Sequence, residues 1–236
     1  MEQRFEKWNN WLDNIDNDVC LLSSNRSIFR EIQKIVDNNP QIQTPNLFYS
    51  FLGDTYVAFT VMTVRRQIKS HKDSISFAGL LQEIIDTPCV LSRERFVDLY
   101  PSSMKGHANS DFAQFAGDCK DHVDPDLVKQ DLKQLKFLGK NLEIFADKRI
   151  AHQDRRKIKH VPTFNDLDVC INYLEELTKK YLLLFRGVAR SPLVTNLDDW
   201  HEIFREPWIL PDNTSVADLT AWWNAEGDKE WDEWSP

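Results

Sequence analysis

The amino-acid sequence predicts an all-α protein, on three observations. Apolar residues recur at steps of three and four through several long stretches, the spacing that lines one face of a helix. Glycine is scarce, with seven in 236 residues. No pair of alternating apolar runs is joined by an Asn-Gly type signal, so little favours a hairpin or a sheet. The length and a hydrophobic content of 42% suit one sizeable core with an appended segment better than two equal domains.

Phe5, Trp8 and Trp11/Leu12 give a short amphipathic start, and Val19 to Val36 reads as a second helical stretch carrying Ile28, Ile32 and Ile35. Asn38-Asn39-Pro40 stops it. From Asn46 to Ile68, the residues Leu47, Phe48, Phe51, Leu52, Tyr56, Val57, Phe59, Val61, Met62 and Val64 surround the helix on most sides. A helix apolar all round is expected at the centre of a fold. It ends in Arg65-Arg66, which either complement the helix dipole or serve a site.

Residues 73–123 form an irregular insertion, with helices expected at Ser76 to Ile85 and Ser92 to Leu99 amid Pro, Gly, Ser and Asn. Asp124-Pro125-Asp126 is a strong start signal for a third long helix, Leu127 to His152. Pro162 fixes a turn, and Thr163 or Asn165 caps a fourth helix with Leu167, Cys170/Ile171, Leu174, Leu177, Tyr181 and Leu184 on its face. A turn this short makes the last two helices neighbours. The scheme is a four-helix bundle with extra short helices between core helices 2 and 3 and a C-terminal extension, helical domain 1–190 followed by 191–236.

The net charge of −8 is unevenly spread. From Asn196 to Pro236 there are eleven acids against Arg205 and Lys229, which leaves the rest of the chain near neutral. Trp200, Trp208, Trp222, Trp223, Trp231 and Trp234 stand among those acids. The mixture reads as a strap packing tryptophans on the helical body, or as a regulatory segment competing for a basic patch. That patch is Lys148, Arg149, Arg155, Arg156, Lys157 and Lys159, with Asp154 the one acid between 148 and 160. Clustered cations suit a polyanion, although a run of Lys and Arg after a helix also serves as a solvated turn.

The N-terminus is studded with charge, unlike a signal peptide, and no apolar run is expected to reach the roughly 20 residues of a membrane helix. A cytoplasmic protein with no membrane partner is therefore expected. Cys20, Cys89, Cys119 and Cys170 form no CxxC pair and read as reduced thiols. His107, His122 and His160 lack helical partners at ligand spacing, and His71 and His201 sit in charged surroundings. Asp121, Asp124 and Asp126 lack the glycine and closing glutamate of a calcium loop and are better read as helix caps. Neither metal nor cofactor is expected.

The candidate site is Asp147-Lys148-Arg149-Ile150-Ala151-His152. The steps through Leu135, Leu138, Leu142 and Phe145 continue to Arg149 and His152, so both polar heads are expected to face what the helix buries. A histidine beside cations suits phosphate chemistry; it also suits a helix cap. Likewise the steps through Phe48, Leu52, Thr55, Phe59 and Met62 run on to Arg66.

The chain resembles the HEPN superfamily, and more narrowly the HEPN-like proteins of phage abortive-infection systems. The resemblance rests on Val64-Arg65-Arg66-Gln67, then Ser74 to Leu81, then Ala146-Asp147-Lys148-Arg149-Ile150-Ala151-His152-Gln153-Asp154, then the Thr163 to Tyr181 helix. It implies a HEPN-like four-helix bundle acting as a homodimer on RNA, in a bacterial defence or toxin-antitoxin setting with an antitoxin or defence-system partner protein.

Many members are metal-independent endoribonucleases with an arginine four to six residues before a histidine. By that resemblance His152 is the acid/base group, Arg149 a cation for the developing charge, and Asp147 an orienting residue. Lys148, Arg65, Arg66, Arg155 and Arg156 are then phosphate contacts. The chain departs from the pattern, since Phe145, Ala146 and Asp147 occupy the positions where that arginine belongs, and Ala146 is the one followed by the usual polar residue. Asp154 stands where some HEPN toxins carry a modified tyrosine. Two readings of other classes stay open: a catalytically inactive helical scaffold or interaction module, and a nucleotide-binding protein.

Overall fold

The computed structural model describes residues 1–117, 121–152, 155, 160–190 and 200–204. Seven α-helices occur among them, with no strand beyond a single bridge between Ser92 and His122. The protein is all-α.

Helix α1 runs unbroken from Glu2 to Asp37, where the sequence suggests two pieces. Its buried line is Trp8, Leu12, Ile15, Val19, Leu22 and Phe29, alternating steps of four and three with Arg26 at the remaining position. Tertiary contacts override the weak helix propensity of Ser23-Ser24-Asn25. Ser23 Oγ, with one hydrogen to give, lies within hydrogen-bond distance of both the Val19 carbonyl and Glu175 Oε1. Arg26 donates to Glu175 and to Asn172 Oδ1, each over 2.6 Å. The polar midsection is thus the contact with α7 (Phe164–Arg186), which keeps the helix continuous.

Helix α2 (Leu47–Ile68) starts on an Asn46 cap. The expectation of a fully central helix fails over its first half. Leu47, Phe51 and Phe48 are 87%, 64% and 50% exposed, whereas Thr60, Val61, Thr63, Val64, Gln67 and Ile68 are buried. Contact with the other long helices begins at Tyr56, buried and stacked 4.0 Å from Phe29 of α1, and strengthens through the C-terminal half. With 22 residues and a mean hydropathy of 1.3, α2 also reaches the length and apolarity of a membrane span, against expectation, because Asp54 is its one charge before Arg65.

The insertion holds α3 (Phe77–Asp86), α4 (Arg93–Asp98) and α5 (Lys105–Ala116), the last unforeseen because only Ala108, Phe112, Phe115 and Ala116 of it are buried. Ser76 and Ser92 cap the first two with side-chain acceptors. Helices α4 and α5 meet through Phe96, 5.4 Å from Phe112 and 5.9 Å from Phe115 between ring centroids. Helix α3 packs on α6 and α1.

Helix α6 runs from Pro125 to Phe145 on an Asp124 cap, short of the expected His152. Its buried line is Val128, Leu132, Leu135, Gly139 and Leu142, and the next step lands on Ala146. Helix α7 begins at Thr163, where a reciprocal capping box with Asp166 chooses between the two expected caps. The four long helices pack together, α1 on α2 and α7, and α6 on α2 and α7.

The chain divides into two units, Met1–Thr195 and Asn196–Pro236. In the second, Trp200 stacks on His201 at 4.0 Å and meets Phe204 edge-on at 5.7 Å. The other five tryptophans of the expected strap lie outside the described residues.

Candidate functional site

The end of α6 departs from helical geometry. Residues Ala146–Ile150 form a π-turn, closed by the Ala151 N–H donating 2.8 Å to the Ala146 carbonyl five residues back. The wider turn shifts every later side chain off the three-and-four spacing of the helix before it. That overturns the expected orientation: Arg149 and His152 are exposed, and Ala146 is the residue that points into the core, with none of its surface accessible. The line of burial passes through Gly139 and Ala146; Leu138 and Phe145, on which the expected stripe rested, are half-buried.

Asp147, next after the buried alanine, faces the last turn of α2. It accepts from Arg65 Nε at 2.6 Å and from Lys69 Nζ at 3.1 Å, and Lys69 lies 3.4 Å from Glu143. Burial pushes the Asp147 carboxyl up, but the donors on Lys69 and Arg65 outweigh it and hold the group below the usual carboxylate range. Asp147 is therefore an anionic link between the end of α2 and the π-turn. Arg65 spends only Nε on it: among the described residues its two Nη groups have no acceptor, and the side chain keeps 26% of its surface exposed.

Adjacent residues on a helix point about 100° apart, and the two arginines diverge accordingly. Arg66 pairs with Asp18 of α1 through Nη2 and Nε, both at 2.9 Å. The same carboxylate accepts from Gln67 Nε2 at 2.6 Å, and Gln67 Oε1 accepts from the Phe77 N–H at 3.0 Å. Of the two, Arg65 is brought to the π-turn, while Arg66 joins a network tying α2 to α1 and α3.

Lys148 is half-buried, and Arg149, His152 and Arg155 are exposed. Arg156 lies outside the described residues, as do Asp154, Lys157 and Lys159. Lys69 and Glu143 were missed from sequence, yet a spacing signal exists. Lys69 is four residues after Arg65, and Glu143 four before Asp147, so each extends an existing charge along its own helix.

No group of three or more His, Cys, Asp or Glu suited to a metal occurs among the described residues. Cys20, Cys89 and Cys170 are free thiols, with burial pushing Cys170 up to about 12; Cys119 lies outside the described residues. A second charged cluster joins α1 to α7, where Arg26 pairs with Glu175 and Arg30 with Asp168. Its charges cancel, so it serves as a strut between helices. Comparison with known proteins finds no matching family model, curated protein or solved structure.

Proposed function

We propose that the chain is a HEPN-like RNA-acting protein whose site is the π-turn at the end of α6. His152 moves protons between the ribose 2′-hydroxyl and the leaving oxygen, which makes the reaction metal-independent. Lys148, Arg149 and Arg65 contact phosphate, with Arg155 and Arg156 extending the basic surface. Asp147 orients Arg65.

The observation that carries this reading is the π-turn itself. Such single turns are frequent at functional sites. This one puts an exposed imidazole three residues after an exposed arginine while anchoring Asp147 to an arginine from another helix. The buried Ala146 also bears on the missing arginine. A cation at that position would have to enter the core, so the charge that stabilises the transition state comes from Arg65 across the α2 contact.

The homodimer implied by the resemblance has an apolar surface available in the exposed first half of α2. A bacterial defence or toxin-antitoxin role, with a neutralising partner, belongs to the same reading.

The test is incubation of the pure protein with mixed RNA in EDTA, scoring fragments with cyclic phosphate ends. Wild type is expected to produce them and His152→Ala to lose them. Equal decay with both proteins removes the nuclease. The second reading, a non-catalytic interaction module, is favoured by Asp147 being held between Arg65 and Lys69, an arrangement that also serves as a strut between α2 and α6.

A further inference from the structure

The outer face of α6 carries a charge pattern that the turn at its end does not explain. Lys129, Lys133, Lys136 and Lys140 recur at steps of four, three and four, which puts them on one face of the helix, and all four are exposed. At 1.5 Å per residue the row runs about 16 Å toward the π-turn. Lys129 is paired with Asp126 at 2.7 Å. Lys133, Lys136 and Lys140 have no acidic partner among the described residues, so three ammonium groups stand in line in a chain whose net charge is −8.

Two features separate this row from an ordinary solvated helix face. The first concerns acids: from 127 to 142 the one acidic residue is Asp131. It points the other way, accepting from Lys180 Nζ at 2.6 Å and Tyr181 Oη at 2.9 Å on α7. A solvated face normally mixes both signs at i and i+4; from Lys129 to Lys140 this one carries lysines alone, with Asp126 and Glu143 at its two ends. The second is Phe137, which sits beside the row with 72% of its surface exposed. An exposed aromatic ring among lysines offers a flat face to a base.

We propose that the outer face of α6 is a docking track for single-stranded RNA, with Lys133, Lys136 and Lys140 on successive phosphates and Phe137 stacking on a base. The inference rests on the reading of the π-turn as an RNA site and adds the path by which the strand reaches it. Lysines alone also suit an acidic peptide; the exposed ring between them favours unpaired bases.

The probe is a fluorescein-labelled 2′-O-methyl oligouridylate of about 12 nucleotides, which lacks the hydroxyl needed for cleavage and so reports binding alone. Its affinity for the full chain is followed by anisotropy between about 50 and 200 mM salt. Replacing Lys133, Lys136 and Lys140 together by Gln is expected to weaken binding at least about tenfold. It should also flatten the slope of log K against log salt by about 2, at roughly 0.7 per lost phosphate contact. Phe137→Ala is expected to weaken binding about tenfold with the slope unchanged. All four side chains are exposed, and unchanged circular dichroism and urea midpoints check that the fold is intact.

Equal affinity and slope in wild type and the triple variant overturn the track, as does wild type that binds no oligouridylate. So does an oligoglutamate of matched charge that binds this face more tightly than the RNA. The two readings fail separately. Loss of cleavage in His152→Ala, with the triple variant binding and cutting as wild type, removes the track and keeps the site. Stripe-dependent binding by a protein that never cuts keeps the track and removes the nuclease.

Discussion

Arg65 Nε and Asp147 Oδ1 meet at 2.6 Å, and this contact joins the last turn of α2 to the π-turn that ends α6. With Lys69 as a second donor, it holds the Asp147 carboxyl below its ordinary value of 3.8 even though burial opposes the charge. A lowered carboxyl stabilises the fold fully above its ordinary value, and that stabilisation is lost as pH falls through the folded-state value. The carboxylate is 38% exposed, so solvent screening keeps the contribution small. Asp147→Asn is expected to cost about 0.5–1 kcal/mol near neutral pH. Urea unfolding of both proteins checks this: the gap should close on acidification below the carboxylate range, and a gap independent of pH argues that the side chain acts through packing instead.

Ala146→Arg tests where the cation comes from. The Ala146 side chain has no accessible surface, so the guanidinium would have to displace core side chains or enter the core unpaired. A loss of at least about 1–3 kcal/mol in urea unfolding is expected, with no gain in RNA cleavage. Increased cleavage at unchanged stability would show that the position opens to solvent and that the site had only lapsed.

The helical class was legible because the three-and-four spacing of Leu167 to Leu184 needs no tertiary information to read, and neither do the Asp124 and Thr163 caps. What failed depended on partners or on backbone irregularity. Ser23 and Arg26 break the local pattern of α1 and become its contacts with Glu175. The first turns of α2 are as apolar as the rest, yet Leu47, Phe48 and Phe51 stay exposed while Tyr56 and the last turns are buried against other helices. At the site, projecting Leu135 through Phe145 assumed a regular helix, and the π-turn moved Arg149 and His152 to the surface. The stripe from Phe48 to Met62 singles out Arg66, yet the packing of α2 sends Arg65 to Asp147 and Arg66 to Asp18.

The exposed first half of α2 makes the proposed homodimer testable. Phe51 is 64% exposed beside Leu47 and Phe48, an apolar surface that association would remove from water. Wild type is expected to sediment as a dimer and Phe51→Glu as a monomer with intact helical content. If both sediment as monomers at the same concentration, association through this face is excluded.

The missing side chain of Gly139 on α6 makes room for Ile68 of α2. A β-carbon there would lie 2.6 Å from Ile68 Cδ1 and 2.8 Å from Ile68 Cγ2, inside van der Waals contact with a side chain that is itself buried. Alanine gains roughly 1 kcal/mol of helix propensity over glycine, whereas overpacking costs about 1–3 kcal/mol. Cγ2 can move only by rotation about the Cα–Cβ bond of a buried β-branched side chain, which is stiff, so the clash should win. Gly139→Ala is expected to lower stability by about 1 kcal/mol or more in urea unfolding. In an Ile68→Ala background the same change should cost less or become favourable, a coupling of at least about 0.5 kcal/mol. A stabilised single variant would mean that α2 moves away from α6 at little cost. The Arg65 to Asp147 contact, carried by the same two helices, would then hold the π-turn less firmly.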